Sequence, residues 1–141
     1  MESEIRSLAA TLGVADRVRL LGVRSDAPAL MNAADCYLLS SAWEVMPLVL
    51  QEAGASELPV VATQVGGNAE VVRDGSSGFL VAPQDDGALA AGMRRMMALS
   101  NDERSAMGRA GREFIAGRFD MERVLDQWES IYEELLAARS N

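Results

Sequence analysis

Apolar residues along this chain alternate between helical spacing and short unbroken runs, the pattern of strands joined by helices. From about Glu2 to Leu12, Ile5, Leu8, Ala9 and Leu12 fall on one helical face, and Gly13 is the expected stop. Arg17 to Leu21 is short, rich in branched residues and closed by Gly22, which predicts a first strand. Asp26 is then placed to cap a brief helix through Met31. Asp35 to Leu39 predicts a second strand, followed by the polar and bulky loop Ser40 to Glu44. Proline suits a first helical turn, whose N–H groups have no intrahelical partner, so a helix is predicted from about Pro47 to Ser56.

Pro59 to Thr63 predicts a third strand, and the loop Gln64 to Asn68 opens a short helix over Ala69 to Val72. Asp74 to Gly78 is a turn by composition, and Phe79 to Val81 is a fourth strand halted by Pro83. Three helices follow. The first runs from Asp85 to Leu99, and the second from the capping box of Ser100 and Glu103 to Phe119. The third runs from Asp120 to Arg139, with Val124, Leu125, Trp128, Ile131, Tyr132 and Leu135 in one apolar stripe. Met93, Met96, Met97 and Met107 read as filler between packed helices rather than as a binding groove. Strands separated by helices predict an α/β fold: a Rossmann-like three-layer domain with a short parallel sheet of about four strands, right-handed crossovers and a helical C-terminal end.

Length and composition narrow the class. A chain of 141 residues with 49% apolar content suits a single compact domain. The net charge of −8 comes from scattered Asp and Glu, and the basic residues are all Arg, with no stripe to displace counterions from a nucleic acid. The one cysteine, Cys36, lies in an apolar run and reads as a small buried hydrophobe, so no disulfide framework is expected and a reducing compartment fits. No window approaches a membrane span and the acidic start has no apolar signal core, so a cytoplasmic protein is expected. With no His, one Cys, and Asp85-Asp86 at a helix start, no metal site is expected.

In parallel sheets, ligands bind at the carboxyl ends of the strands. Those ends hold the unusual residues here: Gly22 to Asp26, Ser40 to Pro47, and Gln64 to Asn68. Glu44 lies in a loop after a strand, and Glu52 lies between one and two turns inside the next helix. Between them is a helix N-terminus, whose free N–H groups and positive dipole end favour a phosphate. A diphosphate there would leave a sugar near Glu44 and a ribose near Glu52, and carboxylates accept well from vicinal hydroxyls. On spacing alone a solvated loop charge and a surface helix charge are favoured. Glu52 argues against that, because it sits among Leu48, Val49, Ala53 and Ala55, where a carboxylate needs a partner.

The run Ser41 to Glu52, then Leu58 to Gly67, Glu70 to Gly75 and Gly78 to Val81, resembles in order and spacing the family 4 glycosyltransferases of the GT-B fold. Val18 to Gly22, Ala34-Asp35, Ala88 to Ala90 and the closing helices are similar too. The resemblance implies the larger part of a nucleotide-sugar-binding domain. It also implies a retaining, metal-independent transfer of a sugar from a UDP- or GDP-linked donor to an acceptor hydroxyl, of hexosyltransferase type and without a cofactor. It maps the sugar contact onto Glu44 and the ribose onto Glu52, with the diphosphate near Met46, Pro47 and Leu48. Gly66 and Gly67 would let the backbone pass close to the donor, although a simple tight turn explains them equally. Val23 and Arg24 would lie near the base. Val45 and Glu57 stand where the family usually has glycine.

The family's acceptor domain and the first strands of its donor domain have no counterpart in these residues, so the isolated chain is expected to be inactive. The intact enzyme would have its acceptor domain as partner, and it could associate peripherally with a membrane. Without the missing strands, Arg17 to Leu21 is expected to dock directly beside Asp35 to Leu39, or else two copies pair through open sheet edges. A non-catalytic nucleotide-binding or assembly module, or a sugar-nucleotide epimerase, is the alternative.

Overall fold

The computed structural model describes residues 2–139. Ten helices and strands follow in order: α1 (Glu2–Thr11), α2 (Ala27–Asn32), β1 (Tyr37–Leu39), α3 (Leu48–Ala55), β2 (Val60–Thr63), α4 (Asn68–Val71), β3 (Gly78–Val81), α5 (Asp86–Ala98), α6 (Asn101–Phe119) and α7 (Met121–Arg139). The sheet is parallel in the order β1-β2-β3, with Tyr37 opposite Val60 and Val60 opposite Gly78.

The two-residue period of β2 separates the layers. Val60 and Ala62 point to one face, where they pack with Leu50 and Ala53 of α3 and Ile115 of α6. Val61 points to the other, against Phe79, Val81 and Met96 of α5, joined by Met107 of α6. All four residues of β2 are buried, so this central strand is the axis of the core.

Close packing depends on glycines at the contacts. A Cβ on Gly92 would lie 2.7 Å from a methyl of Val81, and one on Gly54 would lie 2.7 Å from Ile115, so α5 and α6 approach closely only because these side chains are absent. The helix starts follow local chemistry. Ser100 and Glu103 form the reciprocal capping box, and Asp85 Oδ1 accepts from the Ala88 N–H at 2.8 Å.

Several expectations are corrected. Arg17 to Leu21 forms no strand: Ala15–Arg17 is a 3-10 turn and Val18 to Leu21 runs without pairing. The sheet accordingly has three strands rather than about four, and the direct docking beside Asp35 to Leu39 does not occur. A strand exists only through a neighbour's hydrogen bonds, and this segment has none among the described residues. Asp26 sits at the N-cap of α2 but makes no capping bond, because Arg24 takes both its carboxylate oxygens. The methionines divide: Met96 and Met107 are buried, while Met93 and Met97 are exposed.

Cys36 is half-buried against the α5 side of the core, and burial pushes its thiol up. The stripe of α7 is present, with Trp128 and Tyr132 rings 5.9 Å apart, yet α7 buries no residue. No helix of the described residues is long and apolar enough to cross a membrane.

Candidate functional site

Because the strands are parallel, the loops after β1, β2 and β3 leave the sheet at the same edge. The first two are tied together by hydrogen bonds. The Gly67 N–H donates to the Val45 carbonyl at 2.8 Å, and Thr63 Oγ1, at the end of β2, donates to the Ser41 carbonyl at 2.7 Å. Ser41 Oγ donates to Glu44 Oε1 at 2.7 Å, which holds a partly buried carboxylate at the lip of the sheet.

Gly66 explains how closely the loops fit. Its φ is +48°, and a Cβ built there would lie 1.7 Å from the Glu44 carbonyl oxygen. A Cβ on Gly67 would lie 2.4 Å from the Val45 carbonyl. The paired glycines therefore form a turn that also admits the protein's own Glu44-Val45 backbone.

Helix α3 starts one residue later than expected. Pro47 is its N-cap with extended backbone, and the Leu48 and Val49 N–H groups have no acceptor among the described residues. Glu52 is one turn above Leu48 on the same side of the helix. It is exposed rather than buried among the apolar residues around it, so the argument that it needs an internal partner fails. Leu48 and Ala55, a turn to either side of it, are exposed as well, while Ala53 is buried against the sheet.

Tyr37, at the start of β1, reports on both carboxylates. Burial pushes its phenol up, and the negative charges of Glu52 and Glu44 push it the same way. The structure thus gathers Glu44, Met46, Pro47, Leu48, Glu52, Gly66 and Gly67 at one edge. Val23 and Arg24 are not joined to them: Val23 is fully exposed, and Arg24 is engaged with Asp26 at 2.7 and 2.5 Å. That pairing raises the Arg24 pKa and lowers that of Asp26.

The edge is open surface, with Trp43 78% and Val45 79% exposed. A hollow of about 340 Å³ among Met31, Asp35, Glu57 and Arg104 lies at the opposite, amino-terminal ends of the strands. Among the described residues no three His, Cys, Asp or Glu side chains are grouped to hold a metal ion. Sequence reasoning passed over Ser41, Thr63, Asn68 and Tyr37. Only Ser41 carried a local signal, a hydroxyl three residues before a loop carboxylate.

A loop carboxylate, a free helix N-terminus and a glycine turn lie at the carboxyl edge of a parallel sheet, the edge at which Rossmann-like domains bind their ligands. The chain belongs to the family described as glycosyl transferases group 1, whose profile matches residues 1–114. It is 34% identical over 139 residues to N-acetyl-alpha-D-glucosaminyl L-malate synthase of Bacillus anthracis, covering 97% of this chain and 36% of that protein. It is 40% identical over 132 residues to D-inositol 3-phosphate glycosyltransferase of Salinispora tropica, covering 92% and 27%. Among solved structures, Anabaena HepE in complex with UDP matches with a TM-score of 0.87 at 28% identity, over 94% of this chain and 36% of that one. The chain spans about a third of the length of these relatives. The resemblance to GT-B glycosyltransferases is borne out.

Proposed function

We propose that this chain supplies the donor-binding wall of a retaining glycosyltransferase that moves a hexosyl group from a UDP- or GDP-linked sugar to an acceptor hydroxyl. The observation that carries the reading is the juxtaposition at one sheet edge of Glu44, the free Leu48 and Val49 N–H groups, and Glu52. The diphosphate rests on the start of α3 beside Met46 and Pro47, where the N–H groups and the helix dipole favour negative charge. Glu52, one turn on and exposed, accepts from the ribose hydroxyls. Glu44 accepts from the sugar.

Charge developing on the leaving diphosphate is met by those N–H groups, with basic residues from outside this chain, and no metal is assigned a step. Gly66 and Gly67 act indirectly, by letting the Glu44 loop sit close to the β2 end. Val23 and Arg24 are the candidates for contact with the base; Arg24 would have to leave Asp26 or present the pair together. The half-buried Cys36 suits a reducing compartment such as the cytoplasm. HepE is solved with UDP and with UDP-glucose, which supports the donor class.

The test is titration of UDP and GDP into the product of the intact gene. Glu52→Gln is expected to weaken the nucleotide by about 1 to 3 kcal/mol, the range for a hydrogen bond to a charged group. Glu44→Gln is expected to lower turnover while leaving free nucleotide affinity in place. Unchanged affinity in Glu52→Gln removes Glu52 from the site.

A further inference from the structure

Glu44 stands on a loop whose neighbours Ala42, Trp43 and Val45 have exposed side chains, and the Gly67 N–H holds the loop backbone at the Val45 carbonyl. The orientation of the Glu44 carboxylate is set by a second link, from β2. Thr63 Oγ1 donates to the Ser41 carbonyl at 2.7 Å, and Ser41 Oγ donates to Glu44 Oε1 at 2.7 Å. The relay continues inward, because Asn68 Nδ2 donates to the Thr63 carbonyl at 2.8 Å. Thr63 is 4% exposed and Asn68 is fully buried, so packing sets both while water sets neither. Asn68 Oδ1 has no hydrogen-bond partner among the described residues, which leaves the Thr63 bond as the side-chain polar contact of this buried amide.

We propose that Thr63, acting through Ser41, is the positioning residue that orients the Glu44 carboxylate toward the donor sugar, with Asn68 bracing Thr63 from the core. Thr63 sits at the last position of the central, wholly buried strand. A hydroxyl there ties that strand, across 22 residues of sequence, to the Ser41 backbone. Ser41 then uses its side chain to select one carboxylate orientation. Without the relay, Glu44 would sample several rotamers on an exposed loop, and a contact to the sugar would be weakened while contacts to the nucleotide would not.

The proposal rests on the reading of Glu44 as the sugar contact, and the experiment separates the two. Affinities are measured by calorimetry on the intact gene product for UDP or GDP, whichever the wild type binds, and for its glucose or mannose conjugate. Ser41→Ala and Thr63→Val are each expected to weaken the sugar conjugate about fivefold relative to the bare diphosphate, the scale of one net hydrogen bond. Thr63→Ser, which keeps the hydroxyl, restores the difference. Ser41→Ala combined with Glu44→Gln is no weaker than Glu44→Gln alone, because Ser41 acts only through Glu44.

If Glu44→Gln changes the discrimination while Ser41→Ala and Thr63→Val do not, or if the double variant loses the sum of the two effects, the positioning role is overturned and Glu44 keeps its own. Loss of both affinities in parallel with a fall in thermal midpoint makes Thr63 a loop staple and likewise overturns it. If Glu44→Gln leaves the discrimination unchanged, or neither diphosphate binds, the reading of Glu44 or of the donor fails and takes the proposal with it.

Discussion

At the scale of single residues, the sharpest constraint is steric. Gly66→Ala would place a methyl 1.7 Å from the Glu44 carbonyl at a φ of +48°, so the Glu44 loop must move away from β2. The expected result is a loss of about 1 to 3 kcal/mol in chemical denaturation, the scale of a strained backbone position, together with weaker binding of UDP-glucose or GDP-mannose. Unchanged stability and binding would show that the loops are not held against each other. Charge enters at Glu103. Its carboxylate accepts from the Ser100 N–H and hydroxyl, and these bonds hold its pKa below the usual range. A lowered folded pKa contributes stability above the unfolded value, and that contribution is lost as pH falls through the folded value. Glu103→Gln is therefore expected to lower the thermal midpoint at pH 7, with the gap to wild type closing below about pH 4. A gap that stays constant with pH would remove the charged cap.

At the scale of elements, α3 ends with a left-handed residue that is not glycine. Glu57 has φ +55°, its N–H donates to the Gly54 carbonyl at 3.0 Å, and the Leu58 N–H donates to the Ala53 carbonyl at 2.9 Å, the paired bonds of a Schellman end. The ion pair from Glu57 to Arg112, at 3.5 Å and exposed, offsets little of the strain. Glu57→Gly is expected to raise stability by about 1 kcal/mol in denaturant, since glycine carries no left-handed penalty. A lower midpoint would mean that the ion pair or the unfolded-state entropy of glycine outweighs the strain. Elements whose cause is local were legible in sequence: the capping box at Ser100, the Asp85 cap, and the periodic faces of α1 and α7. Arg17 to Leu21 was misread because branched residues favour an extended chain, whereas a strand also needs a partner.

At the scale of the molecule, one sheet edge carries the candidate site and much apolar surface remains in water. Ile5 and Leu8 of α1, Leu12 just after it, and Leu125, Trp128, Ile131, Tyr132 and Leu135 of α7 are all exposed. The site itself is a single open wall, and orientation of two substrates accounts for several kcal/mol of a transfer barrier. Residues 1–141 alone, incubated with UDP-glucose or GDP-mannose and a panel of hydroxyl acceptors, are therefore expected to release no UDP or GDP above background. Measurable transfer would show that one wall suffices. By itself the sequence determined the alternation of strands and helices after Asp35, the parallel sheet, the caps at Asp85 and Ser100 and the line of Glu44, Pro47 and Glu52, because each follows from spacing or from groups a few residues apart. Only the tertiary structure decided that the sheet has three strands, that Glu52 faces water, that Gly66 and Gly67 serve the Glu44 backbone, and that Thr63 reaches Ser41. Those four depend on which segments meet across the fold, and a one-dimensional pattern carries no record of what lies opposite a residue.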